Sequence, residues 1–140
     1  MPLSRQTVEQ IAAAVQTQRL VETATALIEI PSPTRSAAAV AERLAEILRE
    51  DGFEVERADC GWPDSPAVIC RFDSGQPGRT IQFNGHLDTV HLPFVPPRIE
   101  NGMLYGSGCS DMKGGIAAFV EATRVLRETG LLTSGSVLMT

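Results

Sequence analysis

The chain has 140 residues, a length that suits one ordinary domain with its own core. Hydrophobic residues make up 43% and charged residues 21%, which excludes a disordered chain. A net charge of -5, with no lysine or arginine cluster, argues against nucleic acid and anionic membrane as partners.

Residues 1–14 carry Arg5 and Glu9 and no continuous apolar stretch of the signal-peptide kind. No apolar run is long enough to span a bilayer, so the expected compartment is the cytoplasm. The cysteines are Cys60, Cys70 and Cys109, widely spaced and without a Cys-x-x-Cys pair. They read as reduced thiols, not as a disulfide framework or zinc ribbon. Cys109 stands two residues before Asp111, close enough for a role near a site.

In chain order, Val8, Ile11, Ala12 and Val15 recur at helical spacing, and so do Leu20, Ala24, Leu27 and Ile28. The two sets are offset, so residues 7–30 predict one bent helix or two. Pro31 and Pro33 end this region. Thr34 or Ser36 is placed to cap the next helix, whose apolar face is Ala37, Val40, Ala41, Leu44, Ile47 and Leu48. Gly52 suits its C-terminal stop. Strands are then expected around Phe53 and Val55, over 67–72 and over 80–83, with a turn at Asp73-Ser74-Gly75. From Gly85 to Gly115 the chain is rich in Gly and Pro and reads as a long loop, of a length that is usually functional or disordered. Ile116, Phe119, Val120, Thr123 and Leu126 mark a last helix, closed by Gly130, and 136–140 begins a strand. This order predicts an α/β fold, a mixed twisted sheet packed by helices.

Two segments carry chemistry. In Asn84-Gly85-His86-Leu87-Asp88-Thr89-Val90, His86 follows a short strand, where ligands gather in open α/β sheets. His86 and Asp88 are two apart and face one side of an extended chain. A neutral imidazole binds zinc-like metals, and a carboxylate can hold its other N–H. A surface His and Asp at a strand end explain the same pair equally well. In Gly108-Cys109-Ser110-Asp111-Met112-Lys113-Gly114-Gly115, Asp111 precedes a helix and reads plainly as its cap. Lys113 reads as a solvated lysine of the first turn. Gly114 and Gly115 are poor helix formers there, at about 1 kcal/mol each, so backbone is expected to pass close to something. A carboxylate in such a setting can bridge two metal ions.

These two segments, together with Asn101-Gly102-Met103-Leu104-Tyr105-Gly106-Ser107 and the helix ending Ile30-Pro31-Ser32-Pro33-Thr34, resemble the M20 metallopeptidase family. That family includes acetylornithine deacetylase, succinyl-diaminopimelate desuccinylase, aminoacylase and glutamate carboxypeptidase. The resemblance implies the N-terminal part of a zinc-peptidase-like catalytic domain. It implies His86 as a ligand to one metal, Asp111 as the carboxylate bridging two, and Asp88 as the aspartate that orients the active-site groups. The complete enzyme would hold two divalent ions, zinc or cobalt, and hydrolyse the amide bond of an N-acyl amino acid or small peptide.

On this reading residues 1–140 form an incomplete catalytic domain. The family's Glu-Glu pair follows the strand at 136–140, and the remaining ligands and the lid or dimerisation domain lie beyond it. Weak or no metal binding, no activity of the chain alone and self-association or a homodimer are therefore expected. Backbone and apolar surface are expected to stay exposed where the strand at 136–140 lacks a continuation. His91 matches no family ligand, and the short loop 91–99, with Pro93, Pro96 and Pro97, departs from the longer tryptophan-bearing segment of many members. Two competing readings are a non-catalytic remnant that binds a partner, and a nucleotide loop at Gly106-x-Gly108. The latter has no strand leading directly into it.

Overall fold

The computed structural model describes residues 4–90 and 93–140. The N-terminal region is two helices, α1 (Arg5–Ala14) and α2 (Thr17–Ile28), broken at Val15-Gln16. Ser4 starts α1 by accepting the Thr7 backbone N–H at 3.1 Å. The apolar stripe of α1 does not enter the core: none of its residues is buried, and Val8 is 51% exposed. Helix α2 buries Thr23, Ala24, Leu27 and Ile28.

Helix α3 (Ala38–Glu50) buries the expected face, from Val40 to Leu48. Its start corrects the sequence expectation, because neither Thr34 nor Ser36 caps it. The N–H groups of Ala37 and Ala38 instead donate to the Asp64 carbonyl, both at 2.9 Å, so a distant loop satisfies that helix end. At its other end Gly52 takes φ +81, the left-handed stop.

Strands β1 (Val55–Ala58), β2 (Ala67–Asp73), β3 (Thr80–Phe83) and β6 (Ser136–Met139) form a mixed sheet in the order β1-β2-β6-β3. The β1–β2 and β2–β6 pairs are antiparallel, and β3–β6 is parallel. Helix α4 (Gly114–Thr129) makes the crossover from β3 to β6. Strand β6 therefore has neighbours on both sides. The open edges are β1 and β3, not the strand at 136–140 as the sequence suggested. One sheet face carries Val68, Cys70, Val137 and Met139 into a core shared with α3 and with Ile116 and Val120 of α4.

The stretch 85–115 is not all loop. It contains a hairpin, β4 (Arg98–Glu100) and β5 (Met103–Tyr105), turned by Asn101 and Gly102 at φ +52 and +76. Those angles belong to the two-residue turn that Asn-Gly favours. Among the described residues no helix is long and apolar enough to cross a membrane.

Candidate metal centre

His86 lies just past the carboxyl end of β3, where the Gly85 N–H donates to the Thr140 carbonyl beyond β6 at 2.9 Å. Asp111 lies in a wide turn, Cys109–Lys113, that leads into α4. This turn explains one glycine. A Cβ on Gly114 would stand 2.5 Å from the Cys109 carbonyl oxygen, so the turn closes only over a bare Cα. At Gly108, with φ +79, a Cβ would meet Thr89 Cγ2 at 2.7 Å, so the Asp111 turn packs directly on the loop that carries His86.

The structure brings His86, Asp88 and Asp111 together at one end of the sheet. His86 Nε2 is 2.9 Å from Asp111 Oδ1. Its Nδ1 is 3.1 Å from the Asp88 carbonyl and 3.3 Å from Asp88 Oδ1. One ring nitrogen thus faces a backbone carbonyl and a carboxylate, and the other faces a second carboxylate. Partial burial disfavours a charged ring, but the hydrogen bond to the Asp88 carbonyl and then the Asp111 carboxylate outweigh it. The His86 pKa is raised. With an acceptor at each nitrogen, the ring is suited to bridge the two aspartates as an imidazolium.

The same geometry suits a metal. Ligand atoms about 2.1 Å from a tetrahedral cation stand about 3.4 Å apart, so Nε2 and Oδ1, 2.9 Å from each other, need part by only about half an ångström to share one. Asp88 would then hold Nδ1–H and leave the Nε2 lone pair to the ion. His86 and Asp111 could be two of its ligands. Among the described residues no group of three or more His, Cys, Asp and Glu is placed to hold a metal. A cleft of about 340 Å³ opens here, lined by His86, Asp88, Thr89, Val90 and Asp111. A larger apolar cavity of about 490 Å³ shares His86 and Asp88 on its wall and runs back to Leu44, Phe119 and Met139.

Three sequence expectations change. Asp111 is no helix cap, since α4 begins at Gly114 without a side-chain cap and Asp111 meets His86 instead. Lys113 is fully buried, not solvated; its Nζ donates to the Ile30 carbonyl at 2.9 Å, and burial pushes its pKa down to about 8. Cys109 takes no part in the cluster. Its thiol donates to the Leu104 carbonyl at 3.1 Å and ties the turn to β5. The sequence reading also missed Thr34, which donates to Asp88 Oδ2 at 2.8 Å. His91 lies outside the described residues.

The fold is shared with solved peptidase structures. The aminopeptidase PepT of Bacillus cereus superposes with a TM-score of 0.74 at 28% identity, over 90% of this chain and 36% of that one. An M20 family metallo-carboxypeptidase from Sulfolobus solfataricus shares the fold at 0.72 and 21% identity, over 86% of this chain and 29% of that one. Residues 82–140 match the model of peptidase family M20/M25/M40.

Among curated proteins it is similar to the succinyl-diaminopimelate desuccinylases of Methylobacterium radiotolerans and Alkalilimnicola ehrlichii. The first is 40% identical over 108 residues, 69% of this chain and 27% of the relative. The second is 39% identical over 127 residues, 84% of this chain and 32% of the relative. The chain therefore spans about a third or less of these relatives' length.

Proposed function

We propose that residues 1–140 supply one half of a two-metal active site that hydrolyses an amide bond in N-acyl amino acids or small peptides. The observation that supports this reading is the 2.9 Å approach of His86 Nε2 to Asp111 Oδ1, with Asp88 behind Nδ1. In it, His86 is a ligand to one ion, Asp111 bridges two, and Asp88 orients His86. A bound pair of zinc or cobalt ions supplies a Lewis acid and a water of lowered pKa. The protein's part is to present Nε2 unprotonated, to hold the bridging carboxylate and to keep the imidazole in one orientation. The desuccinylase relatives make an N-succinyl amino acid the first substrate class to assay.

His86 and Asp111 are two donors, whereas catalytic zinc sites use three protein ligands. A positioned base, worth about 10²–10⁴-fold, is a separate requirement. On this reading the 140 residues are an incomplete catalytic domain of a cytoplasmic enzyme, bind metal weakly and are inactive alone. The test is deacylation of N-succinyl and N-acetyl amino acids with added zinc or cobalt. A polypeptide extended through the family's Glu-Glu pair, remaining ligands and lid is expected to turn over, and the 140 residues alone are not. In the extended protein Asp111→Ala should abolish turnover, and Asp88→Ala should lower kcat/KM by about 10- to 100-fold. Turnover by the 140 residues alone would sink the fragment reading. An extended protein inert on every such substrate would favour a non-catalytic binding protein.

A further inference from the structure

The segment from Ile30 to Thr34 touches both loops of the centre. Pro31 and Pro33 fix their own φ and offer no N–H, which makes it stiff. Its Ile30 carbonyl accepts from Lys113 Nζ at 2.9 Å, on the Asp111 side. On the His86 side, buried Ser32 donates through Oγ to the Leu87 carbonyl at 2.8 Å, and its own carbonyl accepts the Thr89 N–H at 2.7 Å. The backbone is thus held just before and just after Asp88. Thr34 then donates through Oγ1 to Asp88 Oδ2 at 2.8 Å, while Asp88 Oδ1 faces His86 Nδ1. A carboxylate is planar, so pinning one oxygen over a fixed backbone sets the direction of the other.

Among the described residues the Thr34 hydroxyl makes no other hydrogen bond. Helix α3 starts without it, and its bond to Asp88 is exposed. Exposed polar pairs of this kind contribute little to stability. Orientation and stability can therefore be separated by experiment.

Resting on the metal-centre reading above, we propose that Thr34 is a positioning residue. It locks the Asp88 rotamer, so that Oδ1 joins the Asp88 carbonyl beside Nδ1 and together they hold the proton of neutral His86 there against the pull of Asp111 at Nε2, which leaves Nε2 to the metal. The test compares the 140-residue chain with Thr34→Val and Thr34→Ser. Nitrogen-15 NMR at a pH where the ring is neutral gives the His86 tautomer ratio, thermal melting gives stability, and cobalt titration gives affinity. The expected result is a lower Nδ1–H share and about tenfold weaker cobalt binding in Thr34→Val. Thr34→Ser should restore both, with all three midpoints within about 2 °C. An unchanged tautomer ratio in Thr34→Val overturns the proposal. So does a Thr34→Val midpoint depressed well below that of Thr34→Ser, which would mean a merely structural role. If no form binds cobalt, as two donors alone allow, the tautomer ratio decides the role of Thr34, and turnover of the extended protein decides the metal-centre reading.

Discussion

Lys113 shows how far a single residue can depart from its sequence environment. Two residues after Asp111 and beside two glycines, it looks like a helix-start lysine with its ammonium in water. In the fold it is fully buried, with the Ile30 carbonyl as its hydrogen-bond acceptor. Burial without a counter-charge disfavours the ammonium, so the folded pKa, about 8, lies below the usual 10.5. Between those values the unfolded chain binds more protons than the folded one, and stability rises with pH. Below about 8 both states hold the proton and the penalty is constant. Chemical denaturation across this window should show native stability climbing by about 3 kcal/mol relative to Lys113→Met, an upper bound set by the full gap. Parallel curves for the two proteins would show that the amine finds water.

Among the elements, α1, α2 and α4 are joined by charge, beside the apolar packing of Ala24 and Ile28 of α2 on Ala117 of α4. Glu121 of α4 is 2% exposed; it accepts from the Gln16 N–H, where α1 passes into α2, and from Arg19 of α2 at 2.8 and 2.9 Å. Arg124, also buried, donates to Asp51 at 2.6 Å and to Thr23 at 2.9 Å. Desolvation alone would raise the Glu121 pKa, but the Arg19 hydrogen bond and the Gln16 N–H hold it below the usual range. Its contribution is therefore present above the unfolded carboxylate pKa and is lost as pH falls through the folded one. Glu121→Ala removes the buried acceptor of Arg19 and the Gln16 N–H but leaves Arg19 with Glu128 and Arg124 with Asp51, and should cost about 1–3 kcal/mol, read by urea unfolding at neutral pH. A loss under about 1 kcal/mol would mean that solvent replaces the carboxylate.

Helices α2, α3 and α4 were legible from their spacing of apolar residues, β2 from a run closed by the turn at Asp73-Ser74-Gly75, β3 as a short strand, and β6 from apolar Val137, Leu138 and Met139. The β4–β5 hairpin was not. Its strands are three residues each, too short for alternation to stand out among glycines and prolines, although Asn101-Gly102 is a strong local turn signal. The start of α3 was misread because Thr34 is a good cap by type, and only tertiary structure shows Asp64 already serving that end. His86, Asp88 and Asp111 were found through their motifs. Thr34 was not, because an oriented carboxylate leaves no pattern in its neighbour's sequence.

For the molecule as a whole, some of the exposed apolar side chains stand on β3 and the β4–β5 hairpin. Ile81 on the β3 edge is 58% exposed, and Ile99 and Met103 on the hairpin are 58% and 59%. An unpaired strand edge with such residues is a template for another chain. Sedimentation of the 140 residues should show a weight-average mass rising with concentration, and Ile81→Lys should reduce that rise. A single monomeric species at every concentration would show that the β3 edge is protected by its own twist or polar neighbours.

The place of β6 has a consequence for the order of events during synthesis. A ribosome delivers β1, β2 and β3 early, yet in the finished sheet β6 stands between β2 and β3 and pairs with both. Until residues 136–139 emerge, β3 has no neighbour in the sheet and only the β1–β2 hairpin can form. The loop carrying His86 therefore waits, tethered to an unpaired strand, while α4 is made. In the nascent chain, the end of the sheet that carries His86 and Asp88 is among the last parts to take shape, although these residues are synthesised before α4.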